Sequence, residues 1–399
     1  MPVPRFTKHT IATVENNLPP APMNTFHAVG DIDGDGRLDV AICGRDGRLV
    51  WLENRPAGEA WTVHLIDNVA MMECGGSLVD VTGDGRLDIV NGGDWRATQM
   101  WWWENPGAVG EPWTWRVIAD TGHGQFHDTI VGEVNGVRSL AFTNQSAPGG
   151  TTVYCVPFPD DPTVSPWPGL QIIASAASEP NPYREIRTQA EEGLALGDLN
   201  GDGRNEIVCG THWYEFADGA WRGHKFASGY ISTKIAVGDV DGDGRPEIVL
   251  SEGDPCIYGK SQGGKVSWFK PGDDITAMWQ EHVVEDFLLD AHSLQLGDLC
   301  GNGRLDILIG EVGVADPHTD EYAVRPPRLF VYENDGRGGF ARHVIDEGTG
   351  THEAVLADVW NRGVLDIVGK PLHGAEKWHV HVWANGSGLC HSEEVAEGG

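Results

Sequence analysis

Apolar residues fall along the chain in short runs separated by Gly, Pro, Asn and Asp, and no stretch carries helical spacing. The runs keep a fixed order. A short apolar strand such as "SLQLGD" (Ser293 to Asp298) leads into an acidic loop and then into a run rich in β-branched residues, "RLDILIG" (Arg304 to Gly310). An aromatic run follows: "RLVWLEN", "QMWWWENPG", "TVYCVPF", "HWYEF", "KVSWF", "RLFVYEN" and "HVHVWANG". The acidic residue opening each loop marks seven units: Asp31, Asp80, Glu133, Asp198, Asp239, Asp298 and Asp358. Their spacings of 49, 53, 65, 41, 59 and 60 residues fit propeller blades, which repeat every roughly 40–50 residues, with loop insertions added.

The fourth strand decides how the repeat closes. "WTVHLID", "WTWRVIAD", "LQIIAS", "WRGHKFAS", "WQEHVVED" and "FARHVIDE" supply six copies, and the seventh stands at the other end of the chain, "FTKHTIAT" (Phe6 to Thr13). The pattern predicts an all-β fold with residues 1–399 as one seven-bladed β-propeller of four-stranded antiparallel blades. An N-terminal strand over 5–13 completes the last blade and removes two exposed sheet edges. The C-terminal "LCHSEEVAEGG" is a rival for that place. Two β-sandwiches would leave the shared strand set without an account.

Composition narrows the partners. With 59 Asp+Glu against 28 Lys+Arg, the formal charge of −31 excludes nucleic acid and anionic membrane surfaces, which need positive faces. Seven Cys at unrelated spacings, with no CxxC pair, read as mostly reduced small hydrophobes. The start "MPVPRFTKHT" has no apolar signal core, and no run approaches the roughly 18 apolar residues of a spanning helix. A soluble, cytoplasmic protein is expected, unless it leaves by a route the sequence does not show. Oligomeric state is not legible.

The loops carry a ligand pattern. "DIDGDGRLD" sets carboxylates at Asp31, Asp33, Asp35 and Asp39, with the Arg37 carbonyl between them. Alternate oxygen ligands around a Gly-assisted turn suit Ca2+. The pattern recurs as Asp80, Thr82, Asp84, Asp88; as Asp198, Asn200, Asp202, Glu206; and as Asp239, Asp241, Asp243, Glu247. Asp298, Cys300, Asn302, Asp306 is a poorer set, because a thiol is a poor calcium ligand. Four or five structural Ca2+ sites are expected, and filling five would bring the formal −31 to about −21. Metal-free Asp/Gly turns are the alternative. From Thr25 onward these loops resemble those of the FG-GAP/VCBS repeat family, also found in integrin α-chain propellers. That resemblance implies that calcium holds blades together and does no chemistry.

"EVNGVRS" in unit three and "DVWNRGVLD" in unit seven have lost ligands. Six residues before each marker, a run of roughly 20 Å at strand rise, the inner strand begins on the opposite face. Those positions are Thr25, Cys74, His127, Glu192, Thr233, His292 and His352, followed by Phe26, Gly75, Asp128, Gly193, Lys234, Ser293 and Glu353. Inner strands surround the propeller axis, so His127, His292 and His352 are expected to converge on one mouth. Loops between second and third strands end on the same face and add Trp95, Arg96, His212, Trp213, Glu252, Asp254, Tyr258, Glu311, His318, Tyr322, Lys370 and His373. By contrast, His9, His64, His224, His282 and His343 recur on the outer strand and read as structural, as does the Trp101–Trp103 run.

Three imidazoles with Glu192 or Glu311 would suit a divalent metal such as Zn2+, Mn2+ or Mg2+. The same His residues could instead act as metal-free acid and base groups or line the axis structurally. Lys234 is expected to lower a neighbouring His pKa and favour its neutral form. The chain has no nucleophile elbow, dinucleotide loop or phosphate loop. Proton chemistry beside a metal-polarised carbonyl remains, which suits β-elimination.

"WWWENPG", "WTWRVI", "GHGQFHDTIVGEV" and "DAHSLQLGDLCGNGRLDILIGE" resemble the propeller domain of the aldos-2-ulose dehydratase family. The chain departs from it in lacking the cupin portion, so the isomerase step is not expected. The resemblance implies a lyase on a keto-sugar or anhydro-keto-sugar, with His127, His292 and His352 at the reactive centre; Asp128, Lys234, His212 and Tyr258, which the repeat places at the same mouth, are further candidate catalytic groups. Trp95, Arg96, Trp213, Glu252, Glu311, Lys370 and His373 would then contact the carbohydrate. A non-catalytic propeller binding a glycan or a protein is the main alternative, and a polysaccharide lyase served by Arg45, Arg96, Lys234 and Lys370 is another.

Overall fold

The computed structural model describes residues 4–175, 181–183, 191–316 and 318–386. Seven four-stranded antiparallel sheets make up the fold, and no helix occurs among the described residues. None is therefore long and apolar enough to cross a membrane. In blades 1 to 6 the strands follow chain order from inside to outside, as in Asn24–Gly30, Asp39–Gly44, Asp46–Glu53 and Thr62–Ala70 of blade 1.

Blade 7 takes its inner three strands, Val355–Ala357, Asp366–Gly369 and His379–Asn385, from the end of the chain and its outer strand, Phe6–Thr13, from the beginning. Registers from Phe6↔Asn385 to Thr13↔His379 close the ring as the strand pattern predicts. The rival segment "LCHSEEVAEGG" lies outside the described residues.

Second strands read as unbroken apolar runs because both faces are covered; Val40, Ala41 and Ile42 are 0% exposed. The core lies between blades. One cluster joins Trp102 and Ile118 of blade 2 to Phe142 and Tyr154 of blade 3, and another joins Trp213 and Phe226 of blade 4 to Leu250 and Phe269 of blade 5. The Gly before the acidic marker is a close-approach residue. A Cβ on Gly238 would stand 2.7 Å from the Leu305 side chain of the next blade.

The "EN" ending several third strands has a mechanical role. Asn334 donates its side-chain amide to the Val240 carbonyl of blade 5 and to Leu305 of its own blade, both at 2.8 Å, while its backbone N–H donates to Asp306. Asn54, Asn105 and Asn385 repeat this, each reaching a carbonyl in the preceding blade. In these four blades the last acidic residue of the loop, Asp39, Asp88, Asp306 or Asp366, is thereby tied to an Asn that also reaches the preceding blade.

The outer-strand histidines are structural, as expected. His64, His224 and His282 stack on Trp51, Trp213 and Trp268 with ring centroids 4.3, 4.2 and 4.0 Å apart. Trp102 and Trp103 are buried in blade packing. All six described cysteines are free.

Candidate functional site

The starts of the inner strands surround a cavity of about 210 Å³, whose walls include His27, Cys74, His127, Asp128, Lys234 and Glu353. Beside it the three predicted imidazoles meet. The His127 and His292 rings lie 5.6 Å apart, and His292 stacks on His352 at 4.2 Å. Glu192 Oε2 stands between them, 3.3 Å from His127 Nδ1, 3.1 Å from His292 Nε2 and 3.2 Å from Lys234 Nζ. Asp254 Oδ2 approaches His292 Nε2 to 3.3 Å, and Glu353 Oε1 approaches its Nδ1 to 3.3 Å. A larger cavity of about 320 Å³ lies by Asp33, Trp51 and Trp113, away from this chemistry.

Charge sets the protonation of the cluster. Burial opposes ionisation of Glu192, but His127, Lys234 and His292 hold its carboxyl well below the usual range. Burial likewise opposes the Lys234 ammonium, which Glu353, Asp128 and Glu192 keep charged. For Asp128 burial wins over Lys234 and His127, and its pKa is raised.

The histidines divide. Burial, then the charges of His292, Lys370 and Lys234, hold His352 well below 6.5, as expected of a ring near Lys234. His292 goes the other way: burial and Lys234 press down, yet Asp254 and Glu192 hold it well above 6.5. The expectation that Lys234 neutralises its neighbours therefore fails at His292, because two carboxylates grip that ring.

The donor set suits a transition metal. His127, Glu192 and His292 can each bring one ligating atom within 4.8 Å of the other two, and Cys74, His352 and Glu353 form an adjoining set. His127 Nδ1, Glu192 Oε2 and His292 Nδ1 are buried without a well-aligned hydrogen bond, the condition a cation would relieve. The carboxyl groups of Asp128, Glu192, Asp254 and Glu353 face Lys234 and His292, and a cation bound through His292 would take the place of the proton that Asp254 and Glu192 hold on that ring.

Several predicted residues lie elsewhere. Glu311 is no fourth ligand: it is 0% exposed, grips Arg325 through two bonds and accepts the Leu289 and Arg328 N–H groups. Glu252 is likewise buried, paired with Lys260 and accepting the Ile231 and Lys265 N–H groups. Both are acids placed to anchor loops.

Trp213 is 1% exposed and stacked on His224, so it offers a ligand nothing. His212 stacks on Tyr214, Tyr258 accepts a bond from Asn181 and His373 pairs with Asp320; none of these lines the cavity. Lys370 lies behind the cluster, fully buried, donating to the Asn24 carbonyl 2.9 Å away, 3.5 Å from His352 Nδ1, with burial lowering its pKa to about 8. Trp95 is 51% exposed between the guanidinium groups of Arg45 and Arg96. Those arginines are committed to Glu73 and to Asp94 with Asp46, so no free basic mouth forms from them.

Glu353 and Asp254 are the groups the sequence reading left out of the ligand set. The signal for Glu353 is the column that follows the histidines, where Asp128, Lys234 and Glu353 stand in equivalent places. Glu353 also has φ of 61°, an uncommon backbone state for a non-glycine residue and one found at functional positions.

At the opposite ends of the inner strands the acidic loops curl on their own backbone. Asp31 accepts the Gly34 and Gly36 N–H groups, and Asp39 accepts those of Ile32 and Asn54. Asp31, Asp33 and Asp39 form a possible ligand set. Thr82 Oγ1 and Glu247 Oε1 are buried without a partner, consistent with ligand places in Asp80–Asp88 and Asp239–Glu247. Burial first, and the neighbouring loop carboxylates after it, push Asp39 to about 7, Asp88 to about 6, and Glu206 and Glu247 to about 7. In the blade 5 loop Lys270 pairs with Asp241 and Asp243.

The two altered loops have other solutions. In blade 7, Arg362 occupies the fifth loop position and pairs with Asp366, while Asp358 still accepts two backbone N–H groups. In blade 3 the loop shortens to an Asn135-Gly136 hairpin, both residues at positive φ, and Ser139 stands opposite Gly132 where other blades place an acid.

Residues 31–90 and 198–250 match the FG-GAP-like repeat. No curated protein matches the chain. Two crystal structures of BBS1N in complex with ARL6DN are similar to it. The mercury-soaked form is 10% identical with a TM-score of 0.54, covering 96% of this chain and 97% of that one; the lead-soaked form is 8% identical with a TM-score of 0.56, covering 96% of each. At such identity the likeness concerns the fold alone. Sheet order and ring closure make the chain a seven-bladed β-propeller, two stretches of which, 31–90 and 198–250, match the FG-GAP-like repeat.

Proposed function

We propose that the axial mouth is the centre of a lyase that dehydrates a small keto-sugar or anhydro-keto-sugar by metal-assisted β-elimination. The observation that carries this reading is the meeting of His127, Glu192 and His292, three buried donors from three blades, of which His127 Nδ1 and Glu192 Oε2 have no well-aligned hydrogen bond. These residues would hold a divalent cation such as Zn2+, Mn2+ or Mg2+, with Asp254 or Glu353 beside them. When bound, the cation supplies Lewis-acid polarisation of a carbonyl.

The chain's own groups supply the rest. Asp128 lines the cavity with a raised pKa, suiting it to take the proton α to the carbonyl. The C–H pair becomes the new C=C bond, the β C–O bond breaks, and Asp128 passes the proton it has taken to the departing hydroxyl, which leaves as water and returns the carboxylate to its starting state. The Lys234 ammonium, 3.8 Å from Asp128, stabilises charge on the substrate oxygen.

The cavity size supports a single small polar molecule over a polymer, and the engaged arginines remove the basic mouth a polysaccharide lyase would use. The competing reading is a non-catalytic, calcium-stabilised propeller that binds a glycan or a protein; BBS1N, of similar fold, was crystallised with a protein partner. Incubation of metal-replete protein with 1,5-anhydrofructose or a 3-keto-glucoside separates the two. The lyase produces ultraviolet enone absorbance that His292→Ala abolishes while the variant stays folded. No enone across a keto-sugar panel overturns the proposal and favours the binding module.

A further inference from the structure

Blade 7 carries a cluster that the axial centre does not use. Its third strand, His379–Asn385, begins His-Val-His, and alternate residues of a strand share a face. The His379 and His381 ring centroids lie 5.7 Å apart. Glu376 brings Oε2 to 3.2 Å from His381 Nε2, and the three residues can place one ligating atom each within 4.8 Å of the others.

His381 is 0% exposed and its Nε2 makes no hydrogen bond; His379 Nδ1 is also buried and unpartnered. Such interior nitrogens are costly unless something takes the lone pair. The other ring nitrogen of His381 is accounted for, because Nδ1 lies 3.2 Å from Thr10 Oγ1 on the N-terminal closing strand. In the tautomer that donates the Nδ1 proton to Thr10, Nε2 faces Glu376 with its lone pair free, the way a hydrogen-bond partner orients a ligating histidine.

We propose that Glu376, His379 and His381 form a second divalent transition-metal site, with Zn2+ the favoured occupant. Two imidazoles and one carboxylate suit that ion and leave one position for water. Lys8, also on the closing strand, sets the competition. Its ammonium lies 3.0 Å from Glu376 Oε2 and 2.6 Å from Thr349 Oγ1, with Asp346 at 3.9 Å. An entering cation takes Glu376 and shifts the ammonium toward Asp346. The strand that closes the ring thus supplies both the group that orients His381 and the charge that competes with the metal.

Titration of the full chain with Co2+ in excess calcium, followed by the visible absorption of four-coordinate cobalt, tests the site. Relative to wild type, Glu376→Gln and His381→Asn lose one tight cobalt equivalent, weakening it by about tenfold or more, while His292→Ala keeps it. Lys8→Met tightens it by about tenfold. The Glu376 side chain is 42% exposed, so E376Q does not depend on the core surviving. Unchanged cobalt spectra and stoichiometry in E376Q overturn the proposal, and no tightening in K8M overturns the competing role of Lys8. If the axial centre takes no metal, wild type binds one equivalent and E376Q none, which distinguishes failure there from failure here.

Discussion

Replacing His27 by Leu should flatten the acid sensitivity of the fold. His27 is 5% exposed in the inner strand of blade 1. Burial first, and then the Lys370 ammonium, lower its pKa from 6.5 to about 3, with Glu353 and the Val368 carbonyl pushing back only in part. Between those two values the unfolded chain binds a proton at this residue and the native chain does not. Native stability therefore rises with pH in that window and is lost as pH falls from 6.5 toward about 3. At about 1.4 kcal/mol for each pH decade below the unfolded value, moving from pH 7 to pH 5 removes about 2 kcal/mol through this one residue. Equilibrium urea unfolding of wild type and His27→Leu at both pH values, with calcium saturating, measures the difference. Whatever the baseline stability of the variant, its loss between the two pH values should be smaller by about 2 kcal/mol. Parallel losses, agreeing within about 0.5 kcal/mol, would refute the burial argument.

Asn334→Ala removes two amide donations to carbonyls and the acceptor for the Gly336 N–H, and unfolding measurements should show a loss of about 2–4 kcal/mol. Chelation of calcium should lower the melting temperature, since a site held at about 100 times its Kd contributes about 2.7 kcal/mol; identical melts in chelator and calcium would mean the acidic loops stand without metal. Arg362→Gln leaves buried Asp366 without its cation and should cost about 1–2 kcal/mol, discounted for the half-exposed guanidinium. Because that arginine stands where other loops have a ligand, added calcium should not restore the loss in thermal melts.

The blade count, the strand order and the ring-closing N-terminal strand were legible because each repeats a pattern that only burial and pairing explain. The converging histidines were legible for the same reason: their place in the repeat fixes their distance from the axis. The loops between second and third strands were less readable. Glu252 and Glu311 look like mouth carboxylates in sequence but turn inward to collect loop N–H groups and an ion-pair partner, a choice made by tertiary contacts outside the repeat. Trp213 follows the inward alternation of its strand and meets His224. Asp254 is legible as a mouth residue from its loop, but it reaches His292 from another blade, so nothing local marks it as a ligand. The Arg362 pairing was hidden because the loop reads only as a loss of ligands until the guanidinium is placed in space.

The most direct test of the axial centre is the transition metal bound by calcium-replete protein, measured by elemental analysis and Co2+ absorption on wild type and on a Glu192→Gln, His292→Ala pair that keeps Glu376, His379 and His381 intact. The pair of substitutions should remove one equivalent bound through imidazole nitrogen and leave the propeller folded. Equal metal content and identical spectra in wild type and the double variant would contradict an axial metal site.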